Sequence, residues 1–223
     1  MIQIDIVSDI VCPWCYIGKR RLERALALRP EFGFQIGWRP FQLNPDMPSE
    51  GMDREQYLNL KFGGSDRARR IYNSVRQAGT EEGIPFAFEA IRRQPNTTDA
   101  HRLIRWAAAQ GAQDAVVENL FRVYFTEGAD LGDRDVLLAV ASQCGLEEAE
   151  IARCFAEDID RELVQREEAV ARRLGINGVP CFIVERKYAV SGAQDPSVLL
   201  QVFDLAQRNA EVEPQAAEES LST

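Results

Sequence analysis

Strand-like periodicity is confined to the two ends of this 223-residue chain, and the long middle has the spacing of helices. Ile2, Ile4 and Ile6 alternate with polar residues, and a second alternation runs through Phe32, Phe34, Ile36 and Trp38. Between them, residues 16 to 29 place Ile17, Leu22, Ala25, Leu26 and Leu28 ahead of a stop at Pro30, which predicts a strand-helix-strand unit. From about Asn44 to Gly175 turn signals separate helical stretches. The clearest is Thr98 to Gln110, with a stripe of Ala100, Leu103, Ile104, Ala107 and Ala108. Val116, Val117, Leu120, Phe121 and Tyr124 mark another helix, Asp133 is a cap for a third, and Asp160 to Arg173 forms a fourth. Strand character returns at Cys181-Phe182-Ile183-Val184 and, after a turn at residues 185 to 187, at Tyr188-Ala189-Val190. A last helix carries Val198, Leu199, Val202, Phe203 and Ala206. Residues 209 to 223 hold few large apolar groups and are expected to be a disordered tail.

The first strand and first helix are joined by Cys12-Pro13-Trp14-Cys15. Two thiols at a helix start can meet in one turn. Unpaired backbone N–H groups and the helix dipole favour a thiolate on the first of them, so Cys12 is the expected attacking sulfur. Cys15, one turn further in, is the expected resolving partner that attacks Cys12 from within the helix. Pro13 suits the first helical turn, where its missing N–H is no loss. Trp14, at a surface turn, is expected to offer an apolar platform to substrate. The element order predicts an α/β, thioredoxin-like fold from residues 1–43 and 176–208, with a large all-helical insertion at 44–175. In such a fold a cis proline precedes the third core strand and faces the cysteines. Val179-Pro180 stands at that place.

A net charge of −9 argues against a general nucleic-acid binder, which needs a basic surface to displace counterions from phosphates. The N-terminal residues have no leader-like apolar run, and no later run reaches membrane-spanning length. The expected setting is the cytoplasm, with no membrane partner; a Cys-x-x-Cys there is catalytic or metal-binding more often than structural. Zinc needs four ligands, usually in close pairs, whereas Cys144, Cys154, Cys181 and the sole histidine, His101, are scattered. No metal is therefore expected.

Several separated segments together resemble the DsbA-like oxidoreductases. They are Ser8 to Cys15, Trp38-Arg39-Pro40-Phe41-Gln42-Leu43-Asn44-Pro45, Asn96 to Leu103, Gly178-Val179-Pro180 and Ser191-Gly192-Ala193-Gln194. Within that family the chain is similar to the FrnE-type branch, related to 2-hydroxychromene-2-carboxylate isomerases and kappa-class glutathione transferases. The resemblance implies a nucleophilic Cys12, its partner Cys15, Pro180 as the cis-proline, Val179 beside it at the substrate, and a helical lid. It also implies a disulfide or thiol substrate, protein or small molecule, and relatives that include homodimers. The isomerase and transferase relatives typically carry serine at the position of Cys12 and use bound glutathione as the thiol. With its own two thiols this chain resembles the disulfide-exchange branch and requires no cofactor, although glutathione as co-substrate, near Val179, Ala193 and Gln194, is a second expectation. The alternative function is a glutathione-dependent isomerase or transferase acting on a small aromatic molecule.

Four residues keep two readings each. Cys144 and Cys154 fit small buried hydrophobes better than a second redox pair. Cys181 either takes a redox part beside Pro180 or points into the sheet. His101 either faces the cleft as proton carrier or hydrogen-bond donor to substrate, or makes ordinary polar contacts at a helix start, which is the favoured reading.

Overall fold

The computed structural model describes residues 1–220. The first unit is β1 (Ile2–Ser8), α1 (Pro13–Ala27) and β2 (Phe34–Pro40). Helix α1 begins three residues before its apolar periodicity, because Cys12 is the N-cap and Pro13 the first helical residue. β2 sits two residues later than expected: Phe32 closes a turn onto Arg29, while Arg39 and Pro40 pair with Val7 and Ser8.

The middle of the chain holds β3 (Met52–Asp53), α2 (Arg54–Phe62), α3 (Ser65–Glu81), β4 (Arg93–Gln94), α4 (Thr98–Ala108), α5 (Gln113–Arg122), α6 (Arg134–Gln143), α7 (Glu148–Ala156) and α8 (Arg161–Arg173). The antiparallel β3–β4 ladder pairs Met52 with Gln94 and Asp53 with Arg93, so the insertion is helical apart from this two-residue clasp. Asp53 also caps α2 through the amides of Glu55 and Gln56, and Asp133 caps α6 through that of Asp135. A π-helical turn, Val123–Glu127, continues α5.

The chain then returns through β5 (Cys181–Val184) and β6 (Tyr188–Ser191) to α9 (Pro196–Ser220). The expected tail from 209 therefore falls on the end of α9, and residues 221–223 lie outside the described residues.

The sheet order is β2-β1-β5-β6, with β1 parallel to β2 and antiparallel to β5. Alternation sorts the side chains. Ile2, Ile4, Ile6, Phe182 and Val184 join Ile17, Leu22 and Ala25 of α1 and Leu199 and Phe203 of α9 in one core, which continues into the insertion. Val7 and Cys181 point the other way, to Phe41 and to Ala171 of α8. The open edge of β2 is closed by a side chain: the Trp38 N–H donates to Gln113 Oε1 at 2.9 Å, and Gln113 Nε2 donates back to the Trp38 carbonyl. That amide anchors α5 to the sheet, and the Trp38 indole donates to Asp114 on the same helix.

Candidate active site

β1 delivers Ser8 and Asp9 to the sheet end, and the chain turns there into α1. The Cys12 N–H donates to the Asp9 carbonyl and the Cys15 N–H to the Cys12 carbonyl, each at 3.0 Å. Both cysteines are free thiols, Cys12 4% exposed and Cys15 1%. Burial, followed by the adjoining Cys12 sulfur, pushes the Cys15 thiol well above its ordinary range; the Ser8 hydroxyl and Asp9 backbone pull weakly the other way. Cys15 is thus held as a neutral thiol. At about pH 8, iodoacetamide is expected to modify Cys12 and leave Cys15 intact in the folded, reduced protein, read by peptide mass. Equal modification of the two would contradict this asymmetry.

The third element is the loop before β5. Val179-Pro180 is a cis peptide, and the Cys12 thiol donates to the Val179 carbonyl at 3.5 Å across 167 residues of chain. The loop is braced from behind, since the Gly192 N–H donates to the Pro180 carbonyl at 2.8 Å. Gly18 permits the close approach: a Cβ there would lie 2.9 Å from Pro180 Cγ and 3.2 Å from Phe182 Cζ. Glycine inside a helix costs about 1 kcal/mol against alanine, and this contact is what requires it. Gly18→Ala is expected to displace Pro180 from Cys12 and to destabilise by roughly 1–3 kcal/mol through overpacking. Denaturant melts and disulfide-exchange rates measured together would check both effects.

Two thiols at the start of a helix, facing a proline loop across the end of a mixed sheet, make a distinctive arrangement. A family model for the DSBA-like thioredoxin domain matches residues 3–204. The chain belongs to this family. A solved structure of the probable DsbA oxidoreductase SCO1869 from Streptomyces coelicolor is 31% identical with a TM-score of 0.84, covering 93% of this chain and 90% of that one. The protein YwbO of Bacillus subtilis (strain 168) is 25% identical over 189 residues, 82% of this chain and 86% of its own. The cytosolic disulfide reductase DsbM from Pseudomonas aeruginosa, solved with GSH, shares the fold at 19% identity and a TM-score of 0.62, covering 96% and 99%.

Within this DSBA-like domain the other candidate residues occupy different places. Trp14 is 38% exposed at the mouth of the pair. The His101 side chain is buried, more so than its place at a helix start suggests: Nε2 lies 3.1 Å from the Phe41 carbonyl and 3.5 Å from Asp9 Oδ1. Asp9 Oδ2 accepts from the Leu43 N–H, so the pair ties the ends of β1 and β2 to α4. Cys181 is buried on the opposite face of the sheet from Cys12 and Cys15, and burial raises its thiol pKa. Cys144, at the C-cap of α6, accepts from Asn119 Nδ2, and both it and Cys154 of α7 lie in the insertion. The Ala193 carbonyl is taken by Arg21 at 2.6 Å, and Gln194 Nε2 donates to the Ser191 carbonyl, so both residues of the proposed glutathione contact are engaged within the chain. Among the described residues no cluster of His, Cys, Asp or Glu is arranged to hold a metal ion, and no helix is long and apolar enough to cross a membrane.

Sequence reasoning missed the buried supports. Ser8 and Asp9 stand ahead of Cys12 with nothing in the sequence to mark a role, and Gly18 is a glycine inside an amphipathic helix. On the far side of α1, Lys19 is buried among Glu23, Asp114 and Glu118 and ties the redox helix to α5. Hydrogen bonding to Glu23 and the surrounding carboxylates outweigh burial and raise its pKa, so it remains a cation.

Proposed function

We propose that this DSBA-like protein is a cytoplasmic thiol-disulfide oxidoreductase working through Cys12 and Cys15. One observation carries the reading: two free thiols stand at the start of α1, with the inner one buried against the outer and the outer one beside the Val179 carbonyl. In reduction, the Cys12 thiolate attacks one sulfur of a substrate disulfide. A Cys12–substrate bond forms and the other substrate sulfur leaves as a thiolate that takes up a proton. Cys15 then loses its proton and attacks Cys12, releasing the second substrate thiolate and closing the Cys12–Cys15 disulfide. Two electrons pass from the pair to the substrate. Oxidation of a substrate dithiol is the reverse. After reduction, two molecules of a thiol such as glutathione return the pair to the dithiol and leave as their disulfide; after oxidation, a small disulfide such as oxidised glutathione returns the pair to the disulfide and leaves as two thiols.

Val179 and Pro180 form the second wall. A groove of about 560 Å³ runs from Leu174 past Val179 to Gly192 along the outer strand of the sheet, on the face that carries Cys181, and meets the proline loop at Val179. Trp14 supplies an exposed apolar surface next to them.

The test is the Cys12–Cys15 equilibrium across a series of glutathione buffers, read by acid quench, thiol alkylation and intact mass. A two-electron transition is expected, and its midpoint sets the direction of exchange, with roughly 30 mV equal to tenfold in the equilibrium constant. If no intramolecular disulfide formed and Cys12 instead held glutathione, the glutathione-dependent isomerase or transferase would replace this reading.

A further inference from the structure

Arg21 follows the cysteines along α1, and its guanidinium bonds to two distant parts of the chain. Nε donates to Glu82 Oε1 at 2.9 Å, and Nη1 donates to the Ala193 carbonyl at 2.6 Å. Glu82 is the C-cap of α3, in the insertion; its carboxylate is 4% exposed and accepts from Arg24 as well. A guanidinium is planar, with its N–H groups fixed relative to one another, so a carboxylate that holds Nε also sets where Nη1 points.

Nη1 points at residues 192–195, the loop between β6 and α9. Gly192 lies there at φ +81°, in the left-handed region, and its N–H makes the 2.8 Å bond to the Pro180 carbonyl that braces the proline loop. The loop's other bonds are local. The Gln194 N–H donates to the Gly192 carbonyl at 2.9 Å, Gln194 Nε2 donates to the Ser191 carbonyl, and Asp195 accepts from the Ser197 N–H. Among the described residues, Arg21 is the one side chain of another element that bonds to this loop. α1 also packs against it, since a Cβ at Gly18 would lie 3.6 Å from Ala193 Cβ.

The proline loop carries the main chain that meets substrate. The Val179 carbonyl lies 3.5 Å from the Cys12 sulfur, and among the described residues the Val179 N–H donates to no acceptor in the chain. A free main-chain donor beside the reacting sulfur can take the carbonyl of an extended peptide, and such a bond helps the reaction only when its position is fixed beforehand.

We infer that Arg21 is a positioning residue: it holds the loop at Ala193, so that Gly192 fixes Pro180 and the Val179 main chain stays in register with a peptide disulfide at Cys12. The inference rests on the exchange reading above. It makes one guanidinium of the redox helix the link between the insertion and the proline loop.

The experiment times oxidation of the reduced pair by two reagents. One is a short linear peptide whose single cysteine is disulfide-linked to 2-mercaptoethanol; the other is bis(2-hydroxyethyl) disulfide, which has no main chain. Each reaction converts the two protein thiols to one disulfide and the reagent to two thiols. In Arg21→Gln the ratio of the peptide rate to the small-disulfide rate is expected to fall about tenfold, the size of one main-chain hydrogen bond. Glu82→Ala, which frees the guanidinium and leaves α1 untouched, is expected to lower the ratio too. Arg21→Lys keeps the charge without the fork and should fall with Arg21→Gln. Arg24→Gln takes a cation from the same carboxylate without touching the loop and should keep the wild-type ratio. An unchanged ratio in Arg21→Gln would overturn the assignment. So would both rates falling together, the mark of an effect on the thiolate or on folding, or full recovery by lysine, which would assign the effect to charge. A second arm is independent of disulfide chemistry: hydrogen exchange at the Gly192 amide of the reduced protein, expected to quicken about tenfold in Arg21→Gln while the β5–β6 ladder stays protected. If neither reagent oxidises the wild-type pair, the exchange reading fails and this amide still decides whether Arg21 fixes the loop; an unchanged Gly192 rate would overturn that.

Discussion

Replacing Cys12 with serine is expected to reduce disulfide exchange to the solution background, and replacing Cys15 with serine to stop the reaction halfway. The two outcomes differ because the sulfurs differ. Cys12 is the N-cap beside the Val179 carbonyl and forms the bond to substrate; Cys15 is buried, neutral and next to it. Without Cys12 no covalent intermediate forms. Without Cys15 the intermediate forms and has no internal thiol to resolve it, so a mixed disulfide accumulates, with a mass increase of one substrate half that disappears on adding reductant. If Cys12→Ser retained exchange, another thiol would have to be the nucleophile. Cys181 is poorly placed, on the opposite face of the sheet. If Cys12→Ser lost exchange but kept a glutathione-dependent reaction, the isomerase reading would gain.

The second large effect is on stability. Arg102 of α4 is wholly buried and donates to the Ile159 carbonyl at 2.6 Å, the Cys154 carbonyl at 2.9 Å and Asp99 at 2.7 Å. Its guanidinium lies over the rings of Trp106 and Phe155. It thus pins the end of α7 and the following loop onto α4. Arg102→Met would fill much of the space but leave the Ile159 carbonyl without its donor, take one of two donors from the Cys154 carbonyl, which also accepts from the Ile159 N–H, and lose the ion pairs to Asp99 and Asp158, a loss expected to be about 3–5 kcal/mol. At about 2–4 °C per kcal/mol for a chain of this size, the melting temperature should drop on the order of 10 °C. Thermal and urea melts would read it, and exchange by the protein still folded at low temperature should persist. A shift within about 0.5 kcal/mol, typical of surface positions, would contradict this account.

What could be read from the sequence is what period and local chemistry encode. The alternation of Ile2, Ile4 and Ile6 marks β1, the Thr98 stripe marks α4, and Cys12 to Cys15 stands out because two thiols in one turn have few other uses. The amphipathic stripe marks α1 only from residue 16, because Cys12, Pro13 and Trp14 form a first turn without one; what locates that turn is Pro13 behind Cys12. The β3–β4 clasp is two residues long and below what alternation can reveal. Nothing in the local sequence marks Arg54 as buried. Its burial depends on Gln94 and Tyr72, which lie 40 and 18 residues away. His101 was harder still, since its partners Asp9 and Phe41 come from the ends of two strands far up the chain.

The contact between Cys12 and Val179 has a consequence in time as well as space. During synthesis from the N-terminus, 167 residue positions separate the reactive sulfur from the carbonyl that faces it. At about 5–20 residues per second, the ribosome takes on the order of ten seconds or more to cover that stretch. For that interval the nascent chain carries a vicinal dithiol with one wall of its site not yet made, open to adventitious oxidants and to neighbouring cysteines. The last part of the redox centre to be synthesised is therefore the part that shelters the first.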